Sequence, residues 1–147
     1  MYKIKNIKEK KTGKINSFFM IFLLMLFFLN NVSKAQSNTW ASPKAASEVQ
    51  NPLAGNTEIL KYAQVIYESY CAPCHGNKGK GDGIAAAGLA VKPADHTSDI
   101  VQKQTDGALY WMISQGHGPM PSYKTVLTDN QRWEIVNYIR TLAKNKK

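Results

Sequence analysis

The sequence predicts an all-α domain with three main helices joined by long loops. Apolar residues recur at the spacing of a helix face in three separate segments of the chain. Between those segments, no stretch alternates apolar and polar residues as a half-buried strand does. With 147 residues, 44% of them hydrophobic, the chain has apolar material for one compact core, and this excludes a multidomain enzyme.

The first predicted helix begins at Asn56 and Thr57, whose polar side chains can accept hydrogen bonds from the unpaired N–H groups of a first turn. The helix runs directly into Cys71. Its apolar residues follow one another at helical spacing and form one face that packs on the core. This face consists of Ile59, Leu60, Ala63, Ile66, Tyr67 and Tyr70.

Two further helices are predicted in the second half of the chain. One begins at Thr105 and Asp106 and is stopped by Gly116. The other begins at Thr128, with Gln131 three residues later as the reciprocal cap. Their inward-facing residues are Leu109, Met112 and Ile113 on the first helix and Trp133, Val136, Tyr138, Ile139 and Leu142 on the second.

Residues 1–35 have the three-part pattern of a secretory signal peptide. Lysines are followed by an unbroken apolar run over residues 18–29 and then by the small residues Ser33 and Ala35. The run is shorter than the roughly 20 apolar residues that span a bilayer. We therefore expect cleavage near Ala35, with an uncleaved membrane anchor as the alternative, and a periplasmic or otherwise extracytoplasmic domain.

The formal net charge of +9 is concentrated in the same segment, which holds seven of the 19 basic residues and one of the ten acidic residues. The remaining 12 basic and 9 acidic residues contain no basic cluster interleaved with aromatics, and this excludes nucleic-acid binding. Residues 36–55 are predicted to be a polar linker, in which Trp40 either folds back onto the domain or contacts a partner. The domain itself is predicted over residues 56–147.

The chemistry is predicted at a Cys-Ala-Pro-Cys-His motif. The thiols of Cys71 and Cys74 are spaced to bond to the two vinyl groups of one haem, and Nε2 of His75 can then bind the iron. A thioredoxin-type redox pair would need a βαβ context, which the sequence lacks. A structural zinc site would need four ligands, and the further candidates are His96 and His117 without a second cysteine pair. We therefore expect one covalent haem c.

Several other features accompany this motif: Tyr67 four residues before it, the loop Gly79-Lys80-Gly81-Asp82-Gly83, the sequence Gly118-Pro119-Met120-Pro121, and Tyr138 on the last helix. With these features, residues 57–142 resemble the class I monohaem c-type cytochromes. The resemblance implies a small cytochrome c fold, wrapped around one haem, in which Ala63 and Tyr67 meet Tyr138 where the first and last helices cross. It also implies that a carbonyl near Pro93 accepts a hydrogen bond from Nδ1 of His75.

Met120 is the residue that we expect to bind the iron opposite His75. The resemblance implies a methionine there, and proline on both sides holds Met120 on a stiff, extended loop. Three rivals remain. Met112 is expected in the core, His117 is loosely held between two glycines, and His96 is expected on a surface loop.

A haem iron with both axial positions filled has no open site for a substrate, so we expect a one-electron carrier and not an enzyme. The expected partners are redox proteins of an extracytoplasmic respiratory chain, namely a quinol-oxidising complex and a terminal oxidase or reductase. Two alternatives stay open. One is a cytochrome subunit docked in a larger respiratory complex, and the other is a haem enzyme or gas sensor with a labile sixth ligand.

Overall fold

The chain folds into α-helices joined by loops over residues 40–144, the range that the computed structural model describes. This range contains no β-strand, and the all-α prediction is confirmed. None of the helices described is long and apolar enough to cross a membrane. The signal peptide predicted at residues 1–35 lies outside the described residues. The helices are α1 (Lys44–Ser47), α2 (Leu60–Tyr70), α3 (Ala72–His75), α4 (Asp99–Gln102), α5 (Asp106–Gln115) and α6 (Asp129–Lys144), with a short 3₁₀ helix at Ala86–Gly88.

The ends of α5 and α6 are capped as the sequence predicts. Oγ1 of Thr105 accepts a hydrogen bond from the N–H of Ala108 (3.2 Å), and α5 ends at Gln115, followed by the capping residue Gly116, whose φ is 66°. At the start of α6, the N–H of Thr128 donates to Oε1 of Gln131 (2.9 Å). The N–H of Gln131 donates in return to Oγ1 of Thr128 (3.3 Å), which completes a capping box.

Helix α2 begins at Leu60, later than the sequence predicts. Oδ1 of Asn56 accepts a hydrogen bond from the N–H of Glu58 (3.0 Å), but this bond closes a turn before the helix. The N–H of Leu60 then bonds to the carbonyl of Thr57 (3.2 Å). An asparagine side chain forms the same bond in an Asx turn and in a helix cap, so its position alone does not fix where the helix begins.

Helix α2 packs on α6 at the centre of the core. Ala63 and Tyr67 have no exposed surface, and the ring of Tyr67 lies 5.0 Å from that of Tyr138 between centroids. Met112, predicted in the core, is only half-buried, because the buried face of α5 runs through Ile113 and Met112 lies at its edge. The other large buried hydrophobic residues of α5 and α6 are Leu109, Trp133, Ile135, Val136, Ile139 and Leu142.

Residues 40–55, predicted as part of a polar linker, pack on the domain instead. The amide of Asn51 donates to the carboxylate of Asp106 (2.8 Å) and to Oδ1 of Asn137 (2.7 Å). Nδ2 of Asn137 donates in turn to the carbonyl of Leu53 (2.6 Å), whose side chain packs on the core. Most of these contacts are hydrogen bonds of amide groups. An apolar face is therefore not needed to hold this segment, and its polar composition did not predict the packing.

Gly107 offers a test of this docking. A Cβ on Gly107 would collide with the carbonyl oxygen of Ala46 and lie 2.6 Å from that of Val49. Alanine favours a helix by about 1 kcal/mol over glycine, but overpacking costs about 1–3 kcal/mol. We therefore expect Gly107→Ala to lower the free energy of unfolding by about 1 kcal/mol and to speed cleavage within residues 40–55. Denaturant unfolding and limited proteolysis measure the two effects.

Gly88→Ala is the control, because a Cβ on Gly88 meets nothing within 4 Å. We expect this variant to stay within about 0.5 kcal/mol of the wild type, with unchanged proteolysis. A Gly107→Ala variant with wild-type stability and wild-type cleavage would contradict the close contact between α5 and the preceding segment.

Candidate functional site

The predicted haem motif lies at the junction between α2 and α3. The N–H of Cys71 donates to the carbonyl of Tyr67 (2.8 Å), and the N–H of His75 donates to the carbonyl of Cys71 (2.8 Å). Cys71, Cys74 and His75 are therefore brought together on about one helical turn. Cys71 is buried and Cys74 is half-buried, and both are free cysteines. The structure thus places the three predicted residues of the motif together.

The surroundings of Cys71 favour a neutral thiol. Burial, followed by the neighbouring Cys74, raises the pKa of Cys71 to about 12. A structural zinc site would need four ligands. Among residues 40–144, no group of three or more His, Cys, Asp or Glu side chains is placed to hold a metal ion. This part of the chain therefore offers no ligand set for the zinc alternative.

His75 is buried and bonded to a loop carbonyl. Its Nδ1 lies 3.0 Å from the carbonyl oxygen of Ala94. Because a carbonyl can only accept, Nδ1 carries the proton and Nε2 keeps the lone pair that a metal ligand needs. Burial lowers the pKa of His75, partly opposed by this hydrogen bond. Ala94 directly follows Pro93, where the sequence predicts such a carbonyl.

Two glycines bring the loop after the motif back against α3. The N–H of Gly81 donates to the carbonyl of His75 (2.8 Å), and the N–H of Gly83 donates to that of Cys74 (3.1 Å). Gly81 has a φ of 71°, and a Cβ there would collide with the carbonyl of Pro93. Both the backbone angle and the available space therefore require glycine at position 81.

His96 is buried against His75, so its predicted place on a surface loop is wrong. The two imidazole rings stack with centroids 4.0 Å apart and planes 17° apart. Nδ1 of His96 lies 2.9 Å from the hydroxyl of Tyr67, and the N–H of His96 donates to the carbonyl of Gly79 (2.6 Å). Burial, followed by the proximity of His75, lowers the pKa of His96 to about 3. A lone histidine in a polar loop has no periodic pattern that could predict this.

Met120 lies in a tight loop after α5. The N–H of His117 donates to the carbonyl of Met120 (2.9 Å), the N–H of Met120 donates to that of His117 (2.8 Å), and the Gly118–Pro119 peptide bond is cis. Met120 is half-buried against the core. His117 is exposed, and its ring stacks on Trp40 at 5.3 Å between centroids. Trp40 therefore folds back onto the domain, which was one of its two predicted roles.

Tyr123 is a site residue that the sequence analysis missed. Its hydroxyl donates to the carbonyl of Tyr70 (2.7 Å), and the two rings meet edge to face. Burial, followed by the charges of Cys71 and Cys74, raises the pKa of Tyr123 to about 12. Its position three residues after Met120 is the one sequence signal that could have drawn attention to it.

Residues 60–139 match the family model described as Cytochrome C oxidase, cbb3-type, subunit III. The chain belongs to this family. Cytochrome c6 of Euglena gracilis is 24% identical to it over 78 residues, which are 53% of this chain and 86% of that protein. These similarities confirm the resemblance to the monohaem c-type cytochromes and, with it, haem-based electron transfer as the chemistry of this cytochrome domain.

A solved structure of a reducing HAO-like protein complex from Kuenenia stuttgartiensis contains a similar chain. The identity is 29% and the TM-score is 0.55, with 64% of this chain and 49% of that chain covered. This chain therefore spans about half the length of the solved chain that it matches. The similarity confirms the helical cytochrome fold.

The residues of the site fit haem c. Two free thiols stand on one turn, as thioether attachment to one porphyrin requires, and the adjacent His75 has its Nδ1 engaged and its Nε2 available. These are the kinds of donor that a covalently attached, histidine-ligated haem needs.

Gly81→Ala should destabilise the protein more than Gly55→Ala. Both glycines have a positive φ, 71° and 76°, so both variants bear the cost of about 1–2 kcal/mol for a left-handed alanine. A Cβ on Gly55 meets nothing within 4 Å, whereas one on Gly81 must displace the carbonyl of Pro93. We expect a further loss of about 1–3 kcal/mol for Gly81→Ala, measured by denaturant unfolding of the holoprotein. Equal losses would contradict the crowding at position 81.

Proposed function

We propose that this cytochrome is a one-electron carrier of an extracytoplasmic respiratory chain, without enzymatic activity. Cys71 and Cys74 are the proposed thioether attachments of a single haem c, and His75 and Met120 are the proposed axial ligands. When bound, haem c supplies a one-electron change between Fe(III) and Fe(II). The observation that carries the proposal is the bond from Nδ1 of His75 to the Ala94 carbonyl, because it prepares Nε2 as a ligand beside the two thiols.

The positions of the rivals support Met120 as the second ligand. The ring of His96 stacks face to face on that of His75, so the two imidazoles lie side by side and cannot bind opposite faces of one metal. His117 is exposed at the surface, and Met112 lies on a helix face. Met120 combines partial burial against the core with a loop closed by two backbone hydrogen bonds.

Ligation of the iron by two side chains of the protein favours electron transfer over catalysis. His75 and Met120 together would leave the metal no position for a substrate or for oxygen. Both side chains are uncharged donors, and a thioether paired with an imidazole favours the reduced state and a comparatively positive reduction potential.

Redox proteins are the proposed partners, namely a quinol-oxidising complex as donor and a terminal oxidase or reductase as acceptor. Export rests on the signal peptide predicted at residues 1–35. A second candidate is a cytochrome subunit docked in a larger complex, which is supported by the oxidase subunit named by the family and by the complex that holds the solved relative. Native purification separates the two, because a subunit should co-migrate with its assembly and a free carrier should elute alone.

The cysteines provide the test of covalent attachment. Acidic acetone should leave the haem on the wild-type polypeptide, and Cys71→Ala combined with Cys74→Ala should abolish stable holoprotein, because neither thioether can form. The intact mass of the wild type should include one haem. If the signal peptide is removed, the mass should correspond to a chain that begins near residue 36. Haem that acidic acetone extracts freely from the wild type would contradict the proposal.

A matched pair of methionine substitutions tests the second ligand. Met120→Leu keeps the side-chain volume but removes the sulfur, so it should abolish the weak near-infrared band expected for iron–methionine bonding. It should also open the reduced iron to carbon monoxide and lower the reduction potential. Met112→Leu should keep all three properties and cost less than about 1.5 kcal/mol.

The reverse pattern would identify Met112 as the ligand, and no effect from either substitution would point to His117. Rapid and complete carbon monoxide binding by the wild type would favour the haem enzyme or gas sensor instead.

A further inference from the structure

A second buried imidazole supports the ring of His75. His96 is 9% exposed, and its ring lies almost parallel to that of His75, with centroids 4.0 Å apart. The bond to Ala94 restrains His75 at one edge atom, Nδ1, and by itself lets the ring pivot about that atom. A parallel ring at van der Waals distance from one face opposes this pivot.

His96 is itself fixed at several points. Its Nδ1 and the hydroxyl of Tyr67 share a hydrogen bond (2.9 Å), and its N–H donates to the carbonyl of Gly79 (2.6 Å). Nε2 of Gln102 donates to its carbonyl (2.6 Å). Tyr67 is completely buried at the helix crossing, so it is a rigid anchor for the His96 ring.

We propose that His96 is a positioning residue that fixes the rotation of the His75 imidazole about the bond from Nε2 to the haem iron. The inference rests on the proposed function, because it takes His75 as an axial ligand. His96 does not touch the iron in this proposal. It acts through the flat face that it presents to His75, and Tyr67 holds that face in place.

The orientation of the imidazole plane is measurable. Rotation of an axial imidazole changes its overlap with the iron d orbitals, and this changes the g values of the oxidised low-spin protein. The same rotation redistributes the unpaired spin over the porphyrin and shifts the haem-methyl proton resonances. A residue that merely stabilises the fold would change neither reading.

The experiment compares His96→Leu with His96→Phe in the oxidised holoprotein, by electron paramagnetic resonance and proton NMR. Leucine fills the site without a flat face, so we expect shifted g values and shifted haem-methyl resonances. Phenylalanine restores a flat ring but, like Tyr67→Phe, loses the hydrogen bond between position 96 and Tyr67, so both readings should shift less than in His96→Leu. Tyr67→Phe removes only the hydroxyl that fixes His96, and we expect a shift in the same direction as His96→Leu but smaller.

Asn51→Ala is the control for destabilisation alone, because Asn51 bonds to Asp106 and Asn137 and not to the His75 surroundings. It should lower stability without moving either spectrum. Wild-type spectra for His96→Leu would overturn the inference, as would equal shifts in His96→Leu and His96→Phe, or a shift in Asn51→Ala matching that of His96→Leu. A wild type without covalent low-spin haem would overturn the proposed function as well.

Discussion

The hydrogen bond between Nδ1 of His75 and the carbonyl of Ala94 is the constraint on which the site depends. It joins two residues 19 positions apart, so the intervening chain must leave α3 and return within a few ångströms. Gly81 lies against the returning segment at Pro93, so position 81 has no space for a side chain, and its positive φ also favours glycine. The same return brings His96, two residues after Ala94, onto the face of the His75 ring.

Tyr67 connects this constraint to the helical core. Its ring contacts Tyr138 where α2 packs on α6, and its hydroxyl bonds to His96 and to the carbonyl of Gly76. Burial raises the pKa of Tyr67, so the phenol stays protonated and remains a hydrogen-bond donor. One side chain therefore belongs to the core by its ring and to the site by its hydroxyl. The packing of the two long helices consequently sets the position of the His75 surroundings.

The features that the sequence predicts well are those whose physical cause is local or repeated. The reciprocal cap of Thr128 and Gln131 spans three residues, and the apolar face of α6 repeats over several turns. The predicted start of α2 at Asn56 is wrong, because an asparagine side chain forms the same local hydrogen bond in a turn and in a helix cap. Asn51 and His96 find their partners 86 and 29 residues away, and polar contacts at such separation leave no periodic trace in one sequence.

The two proposed axial ligands are held by different kinds of contact. His75 is buried between a backbone carbonyl and a second ring, whereas Met120 lies on a loop whose outer residue, His117, contacts Trp40 at the surface. Trp40 precedes residues 60–139, so its contact with His117 lies outside the region that matches the family model. Local opening begins where contacts are least buried. We therefore expect the loop that carries Met120 to open more readily than the surroundings of His75. Faster amide exchange at Met120 than at His75 would show it, and the reverse order would refute it.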